Sequence, residues 1–250
     1  MILTRENYFS PEMQMKYMGS SQYKSFMQCE AMTMAEILGE YEREKTVSLM
    51  VGSYVDAHFE KSLDIFKAKN PEIYTQKGEL RSEYKHAETI ISRLERDEMF
   101  QKYMSGEKQV IKTGEIEGVP FKIRIDSYHP GKVIVDLKIM RDFECVWKDG
   151  LMLSFVEAWG YDIQGAIYQA VEGNNLPFYI AAGTKEKPEP DLALISIPQD
   201  RLDFCLNEVK KNIHRFADIK AGKIEPVRCE HCDYCKRTKV LTEIIPYDQL

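Results

Sequence analysis

Two charged side chains interrupt an apolar run near the middle of the chain. The segment VIVDLKIM, residues 133–140, carries Asp136 and Lys138 two positions apart. Successive side chains of a strand point to opposite faces, so these two share one face. A preceding run, VPFKIRIDSY, contains Asp126 and is joined to the first by HPGK, a sequence typical of a turn. If the two runs pair as a hairpin, both aspartates and the lysine converge.

Two carboxylates and an amine at the edge of a sheet are suited to phosphodiester hydrolysis. Carboxylate oxygens are ligands that Mg²⁺ prefers, and a bound metal polarises a phosphoryl oxygen and stabilises the leaving alkoxide. A lysine beside them can orient, or help to deprotonate, a metal-bound water. The alternative is a cross-strand salt bridge between Lys138 and an aspartate, with no chemistry attached. These residues alone leave the two interpretations about level.

A second group with chemical potential is rich in cysteine. The run RCEHCDYCKR contains Cys229, Cys232 and Cys235 at intervals of three, a spacing that lets thiolates surround one metal centre. Three thiolates leave one ligand position to fill, and Cys29 is a candidate for it. The alternative is a zinc ion held by the three cysteines together with His231, Asp233 or Cys29.

The elements that must position these groups can be outlined from periodicity. Helices are expected over about 20–41 (as one or two segments), 46–67, 82–104, 153–172 and 200–221. Strands are expected in QVIKTGEIEG, VPFKIRIDSY, KVIVDLKIM, PFYIAAGTK and DLALISIP. In the second strand Phe121, Ile123 and Ile125 form an apolar face, with Asp126 on the opposite face. This order of elements predicts an α/β layered fold with a mixed sheet.

Composition sets broad limits. The 250 residues carry a net charge of -6 and are 44% hydrophobic, enough for a core without a disulfide framework. A general nucleic-acid coat protein would be basic, although an enzyme with a local basic groove is compatible with this charge. We find no apolar segment of membrane-spanning length and no signal-peptide pattern, so we expect no membrane association and a cytoplasmic location with reduced cysteines. Cys145 and Cys205 fit no pattern and are expected in the core.

Considered together, the motifs resemble those of the PD-(D/E)XK nucleases. Asp126 followed by VDLK matches the core motif of that superfamily. His58 in GSYVDAHFE, and Gln164 with Tyr168 in YDIQGAIYQA, are similar to motifs of its RecB-like branch. Gln164 and Tyr168 are four apart and therefore share one helix face. The resemblance covers about residues 20–198 and is greatest to the phage and prophage RecE-type exonucleases (exodeoxyribonuclease VIII-like).

The resemblance implies a restriction-endonuclease-like core, in which a central mixed β-sheet is flanked by helices. One nuclease domain would span residues 1–250, with the helix at about 20–41 and the cysteine tail at about 222–250 as appended elements. The implied activity is metal-dependent exonucleolytic hydrolysis of linear, double-stranded DNA in phage-type recombination or repair. Besides DNA, a single-strand annealing protein is an implied partner. The alternative is a non-catalytic DNA-binding or partner-docking subunit that retains the nuclease fold.

The resemblance also implies roles for individual residues. The expected metal is Mg²⁺ or Mn²⁺, bound by His58, Asp126, Asp136 and Leu137. Lys138 would position the attacking water, and His58 would assist at the metal or at the scissile phosphate. Gln164 and Tyr168 would support the site or contact DNA.

The four cysteines are similar to those of iron–sulfur nucleases in the RecB-like group. Those enzymes use one N-terminal and three C-terminal cysteines, a pattern that Cys29, Cys229, Cys232 and Cys235 share. The resemblance implies a [4Fe–4S] cluster, and zinc remains the alternative. Either centre would join the C-terminal tail to the N-terminal helix and so close a loop of most of the chain. We expect a structural role and no redox chemistry.

Overall fold

The computed structural model describes residues 2–148, 150–242 and 244–246. Its helices are α1 (Pro11–Lys16), α2 (Ser20–Gln28), α3 (Glu30–Leu38), α4 (Val47–Phe59), α5 (Leu63–Lys69), α6 (Ser82–Glu95), α7 (Glu98–Met104), α8 (Phe155–Ala158), α9 (Tyr161–Glu172), α10 (Gln199–Lys220) and α11 (Asp233–Arg237). Its strands are β1 (Glu107–Ile116), β2 (Val119–His129), β3 (Val133–Met140), β4 (Val146–Lys148), β5 (Leu151–Leu153), β6 (Phe178–Thr184) and β7 (Leu192–Ser196). None of the helices in these ranges is both long and apolar enough to cross a bilayer.

A five-stranded mixed sheet forms the centre of the fold, in the order β1-β2-β3-β6-β7. Strand β3 pairs with β6 in parallel, and the other neighbouring strands pair antiparallel. A parallel pair needs a crossover connection, which α8 and α9 supply between β3 and β6. Strands β4 and β5 form a separate two-stranded hairpin within that crossover. The mixed sheet flanked by helices confirms the predicted fold class.

Helices cover both faces of this sheet. On one side α2, α9 and α10 pack against an apolar cluster that includes Phe121, Ile123 and Ile125, none of them exposed. On the other side α4, α6 and α7 pack against a cluster that includes Val135 and Leu137 of β3. The alternation predicted for β2 is therefore confirmed. The same cluster also includes Tyr128, three residues after Ile125, so the alternation does not extend past Asp126.

Three segments predicted as single helices, 46–67, 82–104 and 153–172, are each divided in two in the structure, the last into α8 and α9. The segment 20–41, expected as one or two helices, forms two that meet at Cys29, where the Cys29 sulfur accepts from the amide of Met32 and caps α3. The one expected over 46–67 stops at the end of α4 and resumes as α5, and the one expected over 82–104 restarts where Asp97 caps α7. The β4–β5 hairpin was not predicted. Cys205 is buried as expected, but Cys145 is exposed, so its assignment to the core was wrong.

Strands β2 and β3 part where the two predicted aspartates lie. Their paired residues run from His129 opposite Val133 to Ser127 opposite Val135. Toward the start of β2, the edge of this strand pairs with an N-terminal segment instead of with β3. The amide of Met18 donates to the carbonyl of Pro120 at 2.8 Å, and the amide of Lys122 donates to Met18 at 2.9 Å. The gap between β2 and β3 forms a cavity that is lined by Asp126 and Asp136 where the two strands part.

Candidate functional site

Asp126 and Asp136 face each other across the opening between β2 and β3. Their positions continue the antiparallel register in which Ser127 lies opposite Val135. At these residues the backbone hydrogen bonds between β2 and β3 have ended. The amide of Leu137 in β3 donates instead to Oδ2 of the Asp126 side chain at 2.9 Å. The bond fixes the Asp126 carboxylate beside the next strand. The hairpin predicted from sequence therefore brings both carboxylates to one site.

The Asp136 carboxylate is held from two sides. Nε2 of Gln164, on α9, donates to its Oδ1 at 2.6 Å, while Oδ2 forms an ion pair with the Lys138 ammonium. Lys138 Nζ also lies 3.3 Å from the carbonyl oxygen of Leu137. Asp136 is only 2% exposed, so this environment determines its orientation. The structure thus brings together the two aspartates, Leu137, Lys138 and Gln164 of the predicted set.

Gln109 is a residue of this site that the sequence did not reveal. It lies on β1 opposite Asp126 and donates from Nε2 to Oδ1 of that residue at 3.0 Å. Its backbone has φ of +54°, in the left-handed region that non-glycine residues seldom adopt. Strained backbone of this kind concentrates at functional sites. No periodicity in β1 indicates such a conformation, so only the structure could identify this contact.

The structure does not bring His58 to the aspartates. Its Nε2 lies 2.7 Å from Oε1 of Glu95 on α6, away from the aspartates. The acidic residue that α4 contributes is Asp56, which lines the same cavity as Asp126 and Asp136. Residues two apart on a helix point in nearly opposite directions, so both cannot face the site. Asp56 lies one turn after Gly52 on α4, and both residues line the tryptophan-side cavity described below.

Burial and mutual repulsion shape the charges of this site. Burial, followed by the charge of Asp136, raises the pKa of Asp126 to about 7. Burial, followed by the charge of Asp126, raises the pKa of Asp56 well above its ordinary value. Burial opposes protonation of Lys138, but Asp136 and Asp126 outweigh it and raise the pKa of Lys138. Lys138 therefore remains a cation at neutral pH and cannot act as a base in this state.

The residues present fit a hard divalent cation. Three carboxylates face one cavity, and Lys138 is the cation paired directly with one of them. Burial, followed by the charge of a neighbouring carboxylate, raises the pKa of Asp56 and of Asp126, so a bound cation would stabilise the ionised forms of both. Oxygen ligands and uncompensated negative charge are what Mg²⁺ and Mn²⁺ bind. Asp56, Asp126, Asp136 and the backbone carbonyl of Leu137 are the groups available to hold such an ion.

Tyr168 supports the site from behind. Its hydroxyl donates to the carbonyl of Arg124 at 2.9 Å, and only 7% of the residue is exposed. This bond ties α9 to β2 two residues before Asp126. Gln164 on the same helix face holds Asp136, so α9 positions both strands that carry the carboxylates. Of the two roles expected for Tyr168, the geometry favours support.

Two cavities meet at the carboxylates. The first, here called the N-terminal cavity, has a volume of about 600 Å³ and lies between β2 and α2, with Lys24, Lys122 and Arg124 among its lining residues. The second, the tryptophan cavity, has about 720 Å³ and extends toward Trp159 and Tyr161. Asp56, Leu137 and Lys138 line both. The site is therefore approached from two directions.

The four predicted cysteines form a second, separate site. Their sulfur atoms all lie within 4.8 Å of one another, with Cys29 Sγ 3.6 Å and Cys229 Sγ 3.9 Å from Sγ of Cys235. Cys29 lies between α2 and α3, while the other three precede or begin α11. Residues 243 and 247–250 of the predicted tail lie outside the described residues. The structure thus brings Cys29 to the three cysteines of the C-terminal motif.

Comparison with known proteins places the chain in a family. Residues 19–238 match the family described as "PDDEXK-like domain of unknown function (DUF3799)". The chain belongs to this PDDEXK-like family. It is therefore a member of the PD-(D/E)XK superfamily, as the motifs around Asp126 and Asp136 predicted. A search of curated proteins found no match.

Solved structures give the PDDEXK-like family a close structural example. The crystal structure of a "Putative exonuclease" from Eubacterium rectale has 50% sequence identity to this chain and a TM-score of 0.94, covering 98% of this chain and 97% of that one. A second structure, "SSO0001", has 16% identity and a TM-score of 0.31, covering 86% of this chain and 91% of that one. The second likeness is too low to support an argument. The first shows that the fold described above occurs in a crystal.

Replacing Gln164 by Ala should lower nuclease turnover about 10- to 100-fold, the usual effect of removing a group that orients a metal ligand. The change removes the bond from Nε2 to Asp136 Oδ1 while leaving both aspartates and Lys138 in place. Turnover on linear duplex DNA, measured over a range of Mg²⁺ concentrations, is the test. We expect the Mg²⁺ concentration for half-maximal activity to rise as well.

Gln169→Ala is the matched control for this change. Gln169 is a buried amide on the same helix, but it donates to Leu176 and to Gln199 and does not contact the aspartates. Gln169→Ala should therefore cost stability without changing the Mg²⁺ dependence. Equal behaviour of the two variants would show that Gln164 acts only through the packing of α9.

Proposed function

We propose that this chain is a Mg²⁺-dependent deoxyribonuclease that hydrolyses linear double-stranded DNA from its ends. The single observation that carries the proposal is the convergence of Asp126, Asp136 and Lys138 where β2 and β3 part. The name of the Eubacterium rectale relative, "Putative exonuclease", supports the same activity. The resemblance to RecE-type enzymes supports a place in phage-type recombination or repair, with a single-strand annealing protein as the companion activity. One nuclease domain would carry the reaction.

The side chains divide the work of phosphodiester hydrolysis. Asp126, Asp136 and Asp56 would hold the divalent ion, which when bound supplies a Lewis acid for the phosphoryl oxygen. Lys138, kept protonated by Asp136, donates hydrogen bonds to the attacking water or to a phosphate oxygen. Gln164 orients Asp136 by donating to its Oδ1, so that Oδ2 faces Lys138. A site built on two strands and a helix keeps these groups rigid, as precise positioning requires.

The tryptophan cavity offers a surface for bases. Trp159 is 55% exposed and lines this cavity together with Tyr161, next to Lys138. The Tyr161 ring lies 5.3 Å from Lys138 Nζ and 5.4 Å from Lys24 Nζ. Exposed aromatic rings beside cations bind single-stranded nucleic acid by stacking and by charge. We propose that the bases of one DNA strand stack in the tryptophan cavity. The phosphate groups of that strand would lie at the carboxylates, where the two cavities meet.

For the cysteine site we propose a metal centre of structural function. The C-x2-C-x2-C spacing is the one that bacterial ferredoxins use for iron–sulfur clusters. Separations of 3.6 and 3.9 Å between sulfurs, in contrast, match the edge of a single ZnS₄ tetrahedron, about 3.8 Å for Zn–S bonds of about 2.3 Å. The spacing of the cysteines in the sequence thus favours a [4Fe–4S] cluster, whereas the distances between their sulfur atoms favour zinc. Metal analysis with a visible spectrum of anaerobically purified protein distinguishes them, since zinc gives a colourless protein.

The proposed activity is tested with linear and covalently closed circular duplex DNA of the same sequence. We expect Mg²⁺ or Mn²⁺ to support degradation of the linear form only, and EDTA to stop it. Nucleotides or short oligonucleotides should appear from the first minutes, before internal fragments. Binding of DNA without hydrolysis under either metal would contradict the proposal and would favour a non-catalytic DNA-binding subunit.

A further inference from the structure

Asp126 lies at an interruption of the backbone pairing on both sides of its strand. On the β1 side, Lys108 and Val110 both pair with β2, but in the described part of the sheet Gln109 between them does not. On the β3 side, the pairing ends at Ser127, one residue after Asp126. Groups other than the regular ladder must therefore hold this part of β2 in place.

The carboxylate of Asp126 is held at both of its oxygens. Nε2 of Gln109 on β1 donates to Oδ1 at 3.0 Å, and the amide of Leu137 on β3 donates to Oδ2 at 2.9 Å. A carboxylate oxygen has two lone pairs, so each oxygen keeps one that a metal ion can use. The two neighbouring strands thus fix the orientation of the carboxylate and leave it able to bind a cation.

The other end of the Gln109 amide is buried without a partner. The residue is 5% exposed, and its Oε1 has no hydrogen-bond donor among the described residues. An ionised carboxylate only accepts hydrogen bonds, so the NH₂ group must face Asp126 and Oε1 must point away from it. A buried acceptor without a donor lowers the stability of the fold. The bond to Asp126 therefore comes with an unfavourable burial of Oε1.

The backbone of Gln109 is unfavourable as well. Its φ of +54° lies in the left-handed region, where the Cβ atom of an L-residue crowds the backbone. Glycine would adopt this conformation without that penalty. A residue that lowers stability through both its backbone and its side chain is typical of a functional site.

We propose that Gln109 is a positioning residue for the divalent metal site and acts through Asp126, as Gln164 acts through Asp136. One amide on β1 and one on α9 would then orient one aspartate each. The same Gln109 side chain lowers the stability of the fold and raises its affinity for the metal. This inference rests on the proposed function for the reaction that the metal serves, but metal binding can be measured without DNA.

The test uses Gln109→Gly and Gln109→Ala, which both remove the amide, although only glycine relieves the backbone. Calorimetric titration of Mg²⁺ into protein dialysed free of Mg²⁺ should show about tenfold weaker binding for both, as is usual when a group that orients a metal ligand is removed. Without Mg²⁺, Gln109→Gly should melt about 2–4 °C above Gln109→Ala. Equal losses of affinity at unequal stability would show that the amide determines metal binding.

Turnover of linear duplex DNA gives a second readout. Both variants should be slower than wild type at low Mg²⁺ concentration, because less of the protein carries the ion. Excess Mg²⁺ should restore most of kcat, and the KM for DNA should stay the same. A loss of packing alone would not respond to Mg²⁺ in this way.

Glu117→Gly is the matched control. Glu117 is exposed and also has a positive φ, of +49°, in the turn between β1 and β2. It lies roughly 26 Å along β1 from Gln109 at about 3.3 Å per residue. This variant should keep the wild-type affinity for Mg²⁺ and the wild-type turnover.

Two outcomes separate this inference from the proposed function. Wild-type Mg²⁺ affinity in Gln109→Gly and Gln109→Ala would overturn the positioning role, whatever their activity. If wild type hydrolysed no DNA while the two variants bound Mg²⁺ more weakly, the proposed function would be overturned and the positioning role would stand.

Discussion

Asp136→Asn should reduce Mg²⁺-dependent hydrolysis of linear duplex DNA by roughly 10³-fold or more, because a metal-bound transition state loses several kcal/mol when a ligand is removed. Asn keeps the size of the side chain and can still accept the bond from Gln164, so the packing around β3 is retained. The change removes the charge that pairs with Lys138. Single-turnover rates at saturating DNA and Mg²⁺ measure the loss.

Metal binding to the variant can be followed without activity. The pKa of Asp126 is raised to about 7 from an ordinary value of 3.8. A carboxyl with a raised pKa binds more protons in the native state, so the metal-free protein loses stability as pH rises from about 4 through 7. A divalent cation displaces the proton and offsets the repulsion. Mg²⁺ should therefore raise the melting temperature of wild type more at pH 8 than at pH 6, and should have little effect on Asp136→Asn.

Asp200→Asn is a suitable control, because Asp200 is an exposed aspartate in the first turn of α10, remote from the site. It should keep wild-type activity and the full response to Mg²⁺. An Asp136→Asn protein that degrades DNA at the wild-type rate would remove the chemical basis of the proposed function. The same conclusion would follow if Mg²⁺ raised the melting temperature of Asp136→Asn as much as that of wild type.

The sequence predicted the strand-borne part of this site because strand geometry is local. Period-two alternation put Asp136 and Lys138 on one face, and a short turn was enough to bring Asp126 opposite. Helix-borne residues were harder, because a shift of two residues turns the side chain by about 200° at about 100° per residue. That shift separates His58, paired with Glu95, from Asp56 at the site.

Two kinds of contact could not be predicted from the sequence: those that need an unusual backbone conformation, and those made by backbone segments far apart in the chain. Gln109 reaches Asp126 from a left-handed conformation that no residue pattern announces. The N-terminal cavity depends on Met18 pairing with β2 in place of β3, and such pairing has no local signal. Cys29 was foreseen, although about 200 residues separate it from the other thiols, because a three-cysteine motif lacks one ligand.

Cys235→Ser should lower the free energy of unfolding by several kcal/mol and the melting temperature by about 10 °C, since each kcal/mol shifts a protein of this size by roughly 2–4 °C. Cys235 is fully buried and its sulfur lies close to those of Cys29 and Cys229. Serine is a poor ligand for soft metals, so the centre should be lost with the thiolate. Differential scanning calorimetry and metal content of the purified variant measure both effects.

The size of this effect follows from what the cysteine site connects. Besides the four thiols, the C-terminal segment contacts α3 through the bond from Ala31 to Val227 at 3.1 Å and through Glu30, which accepts from Val227 at 2.7 Å. Tyr234 also packs against the apolar cluster that contains Ala31 and Met32. These contacts are few, so a metal bound by the four thiols would strengthen the attachment of the tail to α3. Because α2 and α3 are consecutive, loosening α3 also loosens the helix that begins at Ser20. Cys235→Ser should therefore weaken DNA degradation through stability, and lower temperature should restore it.

Cys145→Ser separates the loss of a metal ligand from the loss of a thiol. Cys145 is exposed and takes no part in the four-sulfur group, so this variant should match wild type in metal content and melting temperature. Chelator treatment of wild type should reproduce the behaviour of Cys235→Ser. If wild type carried no metal and Cys235→Ser kept wild-type stability, the four thiols would be a packed cluster without a metal centre. The tail would then be held by its hydrogen bonds and apolar contacts with α3.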